Sequence, residues 1–218
     1  VLLGICTLFA VYPMFADHMP GVLWGAQFTA EEAMLAHALG IESIIGIPMR
    51  VVAELLIGFI VFGVALTLTG AGDFFMNLAA ALMGGTRGGP AKVAILSSGF
   101  FGSLSGSVIS NVLSTGTLTI PTMRRCGYPP TYAAAVEACA STGGSLMPPV
   151  MGAVAFVMAM FLNVPYAEVM VAAAVPAILF YVVLLLQADH YAARNALAPL
   201  PLAEIPPLLP TLKQGWAH

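Results

Sequence analysis

Eight residues able to offer oxygen or close backbone approach stand within positions 105–116: Ser105, Gly106, Ser107, Ser110, Asn111, Ser114, Thr115 and Gly116. A second group, Ser141, Thr142, Gly143, Gly144 and Ser145, runs on into Leu146, Met147, Pro148 and Pro149. Hydroxyl and carbonyl oxygens at a helix C-terminus suit a hard cation such as Na⁺, while a helix N-terminus suits a carboxylate. Both groups interrupt apolar sequence, and Lys92 and Arg124 bracket 31 residues without a charge. In hydrocarbon an unsatisfied polar group is costly, so a polar centre survives there where it lines a cavity or binds something. Two interrupted apolar segments in one chain point to the binding site of a carrier. The competing reading is helix packing, because Gly102 and Gly106 form a small-xxx-small pair and intramembrane Ser and Thr often bond locally.

Composition supplies the solvent. Charged residues are 8% and apolar residues 60% of the 218, against roughly 25% charged in ordinary soluble domains. Mean hydropathy is +0.96. A soluble domain of this size could not cover so much apolar surface, so lipid is the expected surroundings. The net charge of −3 is small and dispersed, so no nucleic-acid partner is expected. Cys6, Cys126 and Cys139 show no metal-ligand spacing and read as small core residues. Val1 opens inside an apolar run with no initiator Met, so the chain is expected to be a piece of a longer protein.

The elements that must position the two groups follow from the punctuation. Residues 1–16 read as the end of a transmembrane helix, and 17–43 as a polar connection in which Thr29, Ala30, Glu31 and Glu32 resemble a helix start. A transmembrane helix is expected over 44–69; its 26 residues would span about 39 Å at the helical rise. Arg50 and Glu54, four apart, would pair with each other. Asp73 would cap a short amphipathic helix ending at Met83, and 84–90 would be a flexible loop. Residues 91–123 form a helical hairpin, 131–162 a helix broken at the Gly-Gly and Pro-Pro dipeptides, and 165–186 a further helix opened by Pro165 and kinked at Pro176. Residues 197–218 are Pro-rich and read as an exposed linker or tail.

Charge parity favours a hairpin for 91–123 over a single crossing. If the segment enters and leaves on one side, Arg87, Lys92, Arg124, Arg125 and Arg194 share a compartment, and the acidic connection 17–43 faces the other. That agrees with the positive-inside rule, making 84–92, 124–130 and 187–196 cytoplasmic and 17–43 periplasmic. Each hairpin arm of ~15 residues is about 22 Å long, so its tip falls near the bilayer midplane.

Glu137 is the acid expected deep in the 131–162 span. It reads as an ion or proton site, as a structural partner, or as a contact to another subunit. Enzyme motifs fail: residues 102–106 place Leu104 where a nucleophile elbow needs serine, and 84–92 lacks the Gly-Lys-Ser/Thr of a phosphate loop.

Several strings then match one family's pattern: Gly88-Gly89-Pro90-Ala91-Lys92-Val93-Ala94, Gly106-Ser107 through Asn111, and Thr119-Ile120-Pro121. Gly127-Tyr128-Pro129, Ala134-Ala135-Val136-Glu137, Ser141-Thr142-Gly143-Gly144 and Met147-Pro148-Pro149-Val150-Met151-Gly152 extend it. Over roughly residues 40–190 the chain resembles the large membrane subunit of tripartite ATP-independent periplasmic (TRAP) transporters, nearest to the form fused to the small subunit upstream. The resemblance implies an all-α polytopic membrane protein of the bacterial inner membrane, an elevator-type secondary carrier made of inverted repeats. Each repeat would hold a re-entrant hairpin and a broken transmembrane helix, and this chain carries the first. It also implies Na⁺-coupled import of organic acids delivered by a periplasmic binding protein, with no cofactor. By position, Ser105, Gly106, Ser107, Asn111, Thr115, Gly116, Ser141, Thr142, Gly143 and Pro148 would form half of the substrate and ion site, with Ser107, Asn111, Gly116, Ser141 and Thr142 as Na⁺ candidates. The second hairpin is missing, so the chain alone should not transport. Two rivals remain: a dicarboxylate symporter that needs no binding protein, and a membrane assembly subunit that transports nothing.

Overall fold

The computed structural model describes residues 1–40, 43, 45–46, 49–50, 52–53 and 57–216. Among them every regular element is helical. The chain divides into two compact units, residues 1–55 and 56–218. In the first, α1 (Leu2–Phe15) is followed by α2 (Ala30–Leu39). Thr29 caps α2 in a full capping box: its hydroxyl accepts from the Glu32 N–H, and the Glu32 carboxylate accepts from the Thr29 N–H. That reciprocal bond holds the Glu32 carboxyl below its usual range. The Phe28 N–H donates to the Pro13 carbonyl, which ties the connection back to α1.

The second unit opens with α3 (Ile57–Leu68) and α4 (Ala71–Met83). Gly70, in the left-handed region at φ 93°, stands at the cap position expected of Asp73, which instead lies in the first turn. Of the helix expected over 44–69, the stretch described without a gap is Ile57–Leu68, and Glu54, the expected partner of Arg50, lies outside the described residues.

Then come α5 (Gly89–Ser105) and α6 (Val108–Arg125), joined by two residues. Pro90 sits in the first turn of α5, where its missing N–H costs nothing. The Gly106 N–H closes the last turn of α5 on the Gly102 carbonyl, and Ser107 caps α6 by accepting from the Ser110 N–H at 3.3 Å. The interrupted segment follows as α7 (Pro130–Gly144) and α8 (Ala153–Leu162), and α9 (Tyr166–Arg194) closes the bundle. Among the described residues α9 is the one helix long and apolar enough to cross a membrane by itself. It runs past the expected end at 186, and Pro176 lies inside it.

The faces of α6 are reversed relative to a soluble helix. Asn111, Thr115 and Thr119 point inward and are buried, while Ile109, Leu113 and Leu118 are exposed. Apolar side chains outside and polar ones inside is the arrangement a lipid or protein-filled surrounding selects. Cys6 and Cys139 are exposed and not in a core; Cys126 is partly buried.

The ends of the hairpin, the start of α7 and the end of α9 gather at one pole. Lys92 donates to Asp189 at 2.6 Å, and Arg87 pairs with the same carboxylate. Tyr132 stacks on Tyr191 with centroids 3.5 Å apart, and Tyr128 joins the stack, its phenol pushed up by burial. The segment expected to be a flexible loop is therefore fastened: Gly88, at φ 70°, lies where an added carbon would meet Ala192 at 2.9 Å. The tail, exposed over most of its described length, is also fastened at points. Leu200 is buried beside Ala79 and Ala80 of α4, its N–H donates to the Gly84 carbonyl, and α10 (Leu208–Trp216) packs on α4 with Gly215 against Phe74.

The two cations hold the Asp189 carboxyl down to about 2, against about 3.9 in an unfolded chain. A depressed folded value contributes stability above the unfolded value and loses it as pH falls toward the folded one. Asp189→Asn is therefore expected to lower the unfolding temperature slightly at neutral pH, with the deficit shrinking between about pH 4 and 2. A deficit constant across that window, measured by thermal unfolding in detergent, would contradict the pairing.

Candidate functional site

At the opposite pole the hairpin tip rests on the break between α7 and α8. Gly102, in the last turn of α5, packs on Gly144, the last residue of α7; a carbon added to Gly102 would lie 2.4 Å from the Gly144 Cα. Gly106, at φ 58°, lies over the Met151 carbonyl, where an added carbon would sit 1.7 Å from its oxygen. The Val150 N–H donates to the Ser103 carbonyl at 3.1 Å, and the Gly152 N–H to the Ser145 carbonyl at 2.8 Å. Met151 itself is held at φ 56°.

This docking brings two helix C-termini, those of α5 and α7, against each other. Their last carbonyls carry the negative ends of both dipoles. The N-termini of α6 and α8, capped at Ser107 and Gly152, leave from the same junction. The Ser105 hydroxyl is buried there without a hydrogen-bond partner. A buried hydroxyl left over beside two carbonyl-rich helix ends is a ready ligand for a hard cation.

The remaining residues singled out by sequence separate into two places. Ser105, Gly106 and Ser107 form the tip, and Gly143 stands near the end of α7 against Phe180. Pro148 belongs to the break, in residues 145–152 between α7 and α8. The Thr142 hydroxyl is spent on the Ala138 carbonyl one turn back. Asn111, Thr115 and Ser141 belong instead to a buried polar network further along the arms, with Gly116 packed against the Glu137 side chain.

Glu137 is the hub of that network and only 1% exposed. It accepts hydrogen bonds from Thr115 and Thr119 of α6, from Ser141 of its own helix at 3.1 Å and from Ser98 of α5 at 3.3 Å. The Asn111 amide donates to the Ser98 carbonyl at 2.8 Å, bridging the two arms. Of the three readings of Glu137, the geometry displays a structural one: a single carboxylate ties both hairpin arms to the broken helix. Ser98 is not singled out by the sequence, and Thr119 enters there only within the Thr119-Ile120-Pro121 string, not as a site residue. The signal was present, because Asn111, Thr115 and Thr119 recur every four residues and so share one helix face.

Among the described residues every regular element is helical, and α6 turns its polar side chains inward and its apolar ones outward, as suits a protein of the membrane. The whole chain, residues 1–218, matches the family described as tripartite ATP-independent periplasmic transporter, DctM component. The chain belongs to that family, whose members are integral membrane permeases and not enzymes. It is 32% identical over 127 residues to the C4-dicarboxylate TRAP transporter large permease protein DctM of Pseudomonas aeruginosa, 58% of this chain and 29% of that protein. It is 37% identical over 91 residues to the isethionate TRAP transporter permease protein DctMQ of Oleidesulfovibrio alaskensis, 42% of this chain and 14% of that protein. Against the sialic acid TRAP transporter permease protein SiaT of Haemophilus influenzae it is 26% identical over 160 residues, 73% of this chain and 26% of that protein. The chain thus spans less than a third of each of these relatives.

Proposed function

We propose that this chain is one half of the transport machinery of a Na⁺-driven importer of organic acids. The observation that carries the proposal is the unpartnered Ser105 hydroxyl, buried where the C-termini of α5 and α7 converge. The cation would be held by Ser105 and by carbonyls of those last turns, and Ser107 with the N-termini of α6 and α8 would face a substrate carboxylate. Asn111, Thr115 and Ser141, engaged by Glu137 and Ser98, would shape the hairpin from behind and would not ligate the ion directly. Relatives named for C4-dicarboxylate, isethionate and sialic acid support an acidic substrate. A periplasmic binding protein would deliver it, and a small membrane subunit would complete the complex.

In the inner membrane, the pole holding Arg87, Lys92, Arg125 and Arg194 would face the cytoplasm. The hairpin would then be re-entrant, with its tip near the midplane, and the unit would move as the first of two elevator repeats. The test is uptake by the full-length protein in proteoliposomes with and without a Na⁺ gradient and the binding protein. Uptake that needs both is expected. Uptake without a Na⁺ gradient would contradict the cation site, and uptake without the binding protein would favour a simple symporter.

A further inference from the structure

Tyr166 stands in the first turn of α9, and its hydroxyl reaches back to the break. It donates toward the Pro149 carbonyl at 2.9 Å and toward the Val150 carbonyl. Its ring stacks on Phe156 of α8, with centroids 4.2 Å apart and planes 12° from parallel. A phenol has one proton, so the two carbonyls share it and both turn toward α9. The next residue, Met151, lies at φ 56°, a conformation an L-residue keeps only when its neighbours dictate it. The hairpin supplies one constraint through the Val150 N–H and the Ser103 carbonyl, and the Met151 carbonyl lies under Gly106.

We propose that Tyr166 is a positioning residue for the site: by holding the carbonyls of Pro149 and Val150 toward α9, it completes the grip that fixes Met151 and aims the break at the hairpin tip. The idea rests on the reading of that junction as a cation site. Without the hydroxyl, residues 149–152 would lose the opposing anchor, and their hairpin bonds would open more often. The Met151 carbonyl facing Gly106 would then sample other directions, and the ion would find its ligands less often in place.

Tyr166→Phe removes the hydroxyl and keeps the stack on Phe156, so the fold should survive. In the full-length protein reconstituted in nanodiscs, hydrogen exchange at the Val150 and Gly152 amides is expected to be about tenfold faster than in the unaltered protein, with α7 and α8 unchanged. The Na⁺ concentration for half-maximal uptake should rise about tenfold with the maximal rate kept. Tyr166→Leu, which also loses the stack, should show both effects and a lower unfolding temperature. Unchanged exchange at residues 150–152 in Tyr166→Phe would overturn the proposal, as would faster exchange spread evenly over α7 and α8. Faster local exchange with an unchanged Na⁺ requirement would support the positioning role and count against the cation reading itself.

Discussion

Gly106→Ala is expected to abolish uptake by the full-length carrier and to lower its unfolding temperature by several degrees. Two costs coincide at this residue. Its φ of 58° is left-handed, which costs an L-residue about 1–2 kcal/mol. The new carbon would also sit 1.7 Å from the Met151 carbonyl oxygen and 2.8 Å from its carbon, and both are backbone atoms. Backbone cannot rotate away as a side-chain tip can, so the tip must lift from the break. Lifting threatens the bond from the Val150 N–H to the Ser103 carbonyl, for a total of about 3 kcal/mol or more. Gly85→Ala is the control, since its added carbon would meet only Ile205 at 3.6 Å, and it should retain uptake. Normal transport by Gly106→Ala, measured in proteoliposomes, would sink the idea that tip and break work as one site.

Glu137 should show the second large effect, and the two substitutions there should differ. Glu137→Leu removes both acceptors from the centre of the network. Ser98 and Thr115 can turn to the Asn111 oxygen, 3.2 Å from each, but Thr119 and Ser141 lose their carboxylate partner. Stranding buried hydroxyls costs about 1–3 kcal/mol each, lowered by fallback bonds to their own helix, so a loss of about 2–4 kcal/mol is expected. Glu137→Gln keeps one acceptor oxygen and the side-chain volume; its NH₂ can donate where a hydroxyl donated before, for a loss of about 1 kcal/mol. Thermal unfolding in detergent ranks the two. Equal and small losses would mean that Glu137 does not tie the hairpin to the broken helix.

The elements were largely legible, and each for a local reason. Gly88 with Pro90 and Gly127 with Pro130 mark helix starts because glycine turns the chain and proline suits a first turn, and Pro165 marks one from the cap position before Tyr166. The capping box at Thr29 was readable from Thr29 and Glu32 alone. Boundaries slipped where local signals are silent: α9 continues to Arg194 through polar residues because Asp189 and Tyr191 are held by Lys92 and Tyr132, partners about a hundred residues and sixty residues away. The tail is held at particular points for the same reason. Its prolines say only that no long helix forms, whereas Leu200 and Gly215 are ordered by α4, to which no pattern in the tail points.

Within the site, sequence showed which residues are out of place in an apolar setting but not which of them meet. Types and spacing alone pointed to an all-helical membrane chain with two polar interruptions, because burying charge or backbone in lipid leaves few options. Tertiary structure alone divided the polar residues between a tip, where Ser105 is left without a partner, and a core organised by Glu137. It also brought Tyr166 to the break. Hydrogen-bond partners lie on different helices, and their assignment depends on how closely backbones approach at Gly102, Gly144 and Gly106, a distance that no single segment encodes.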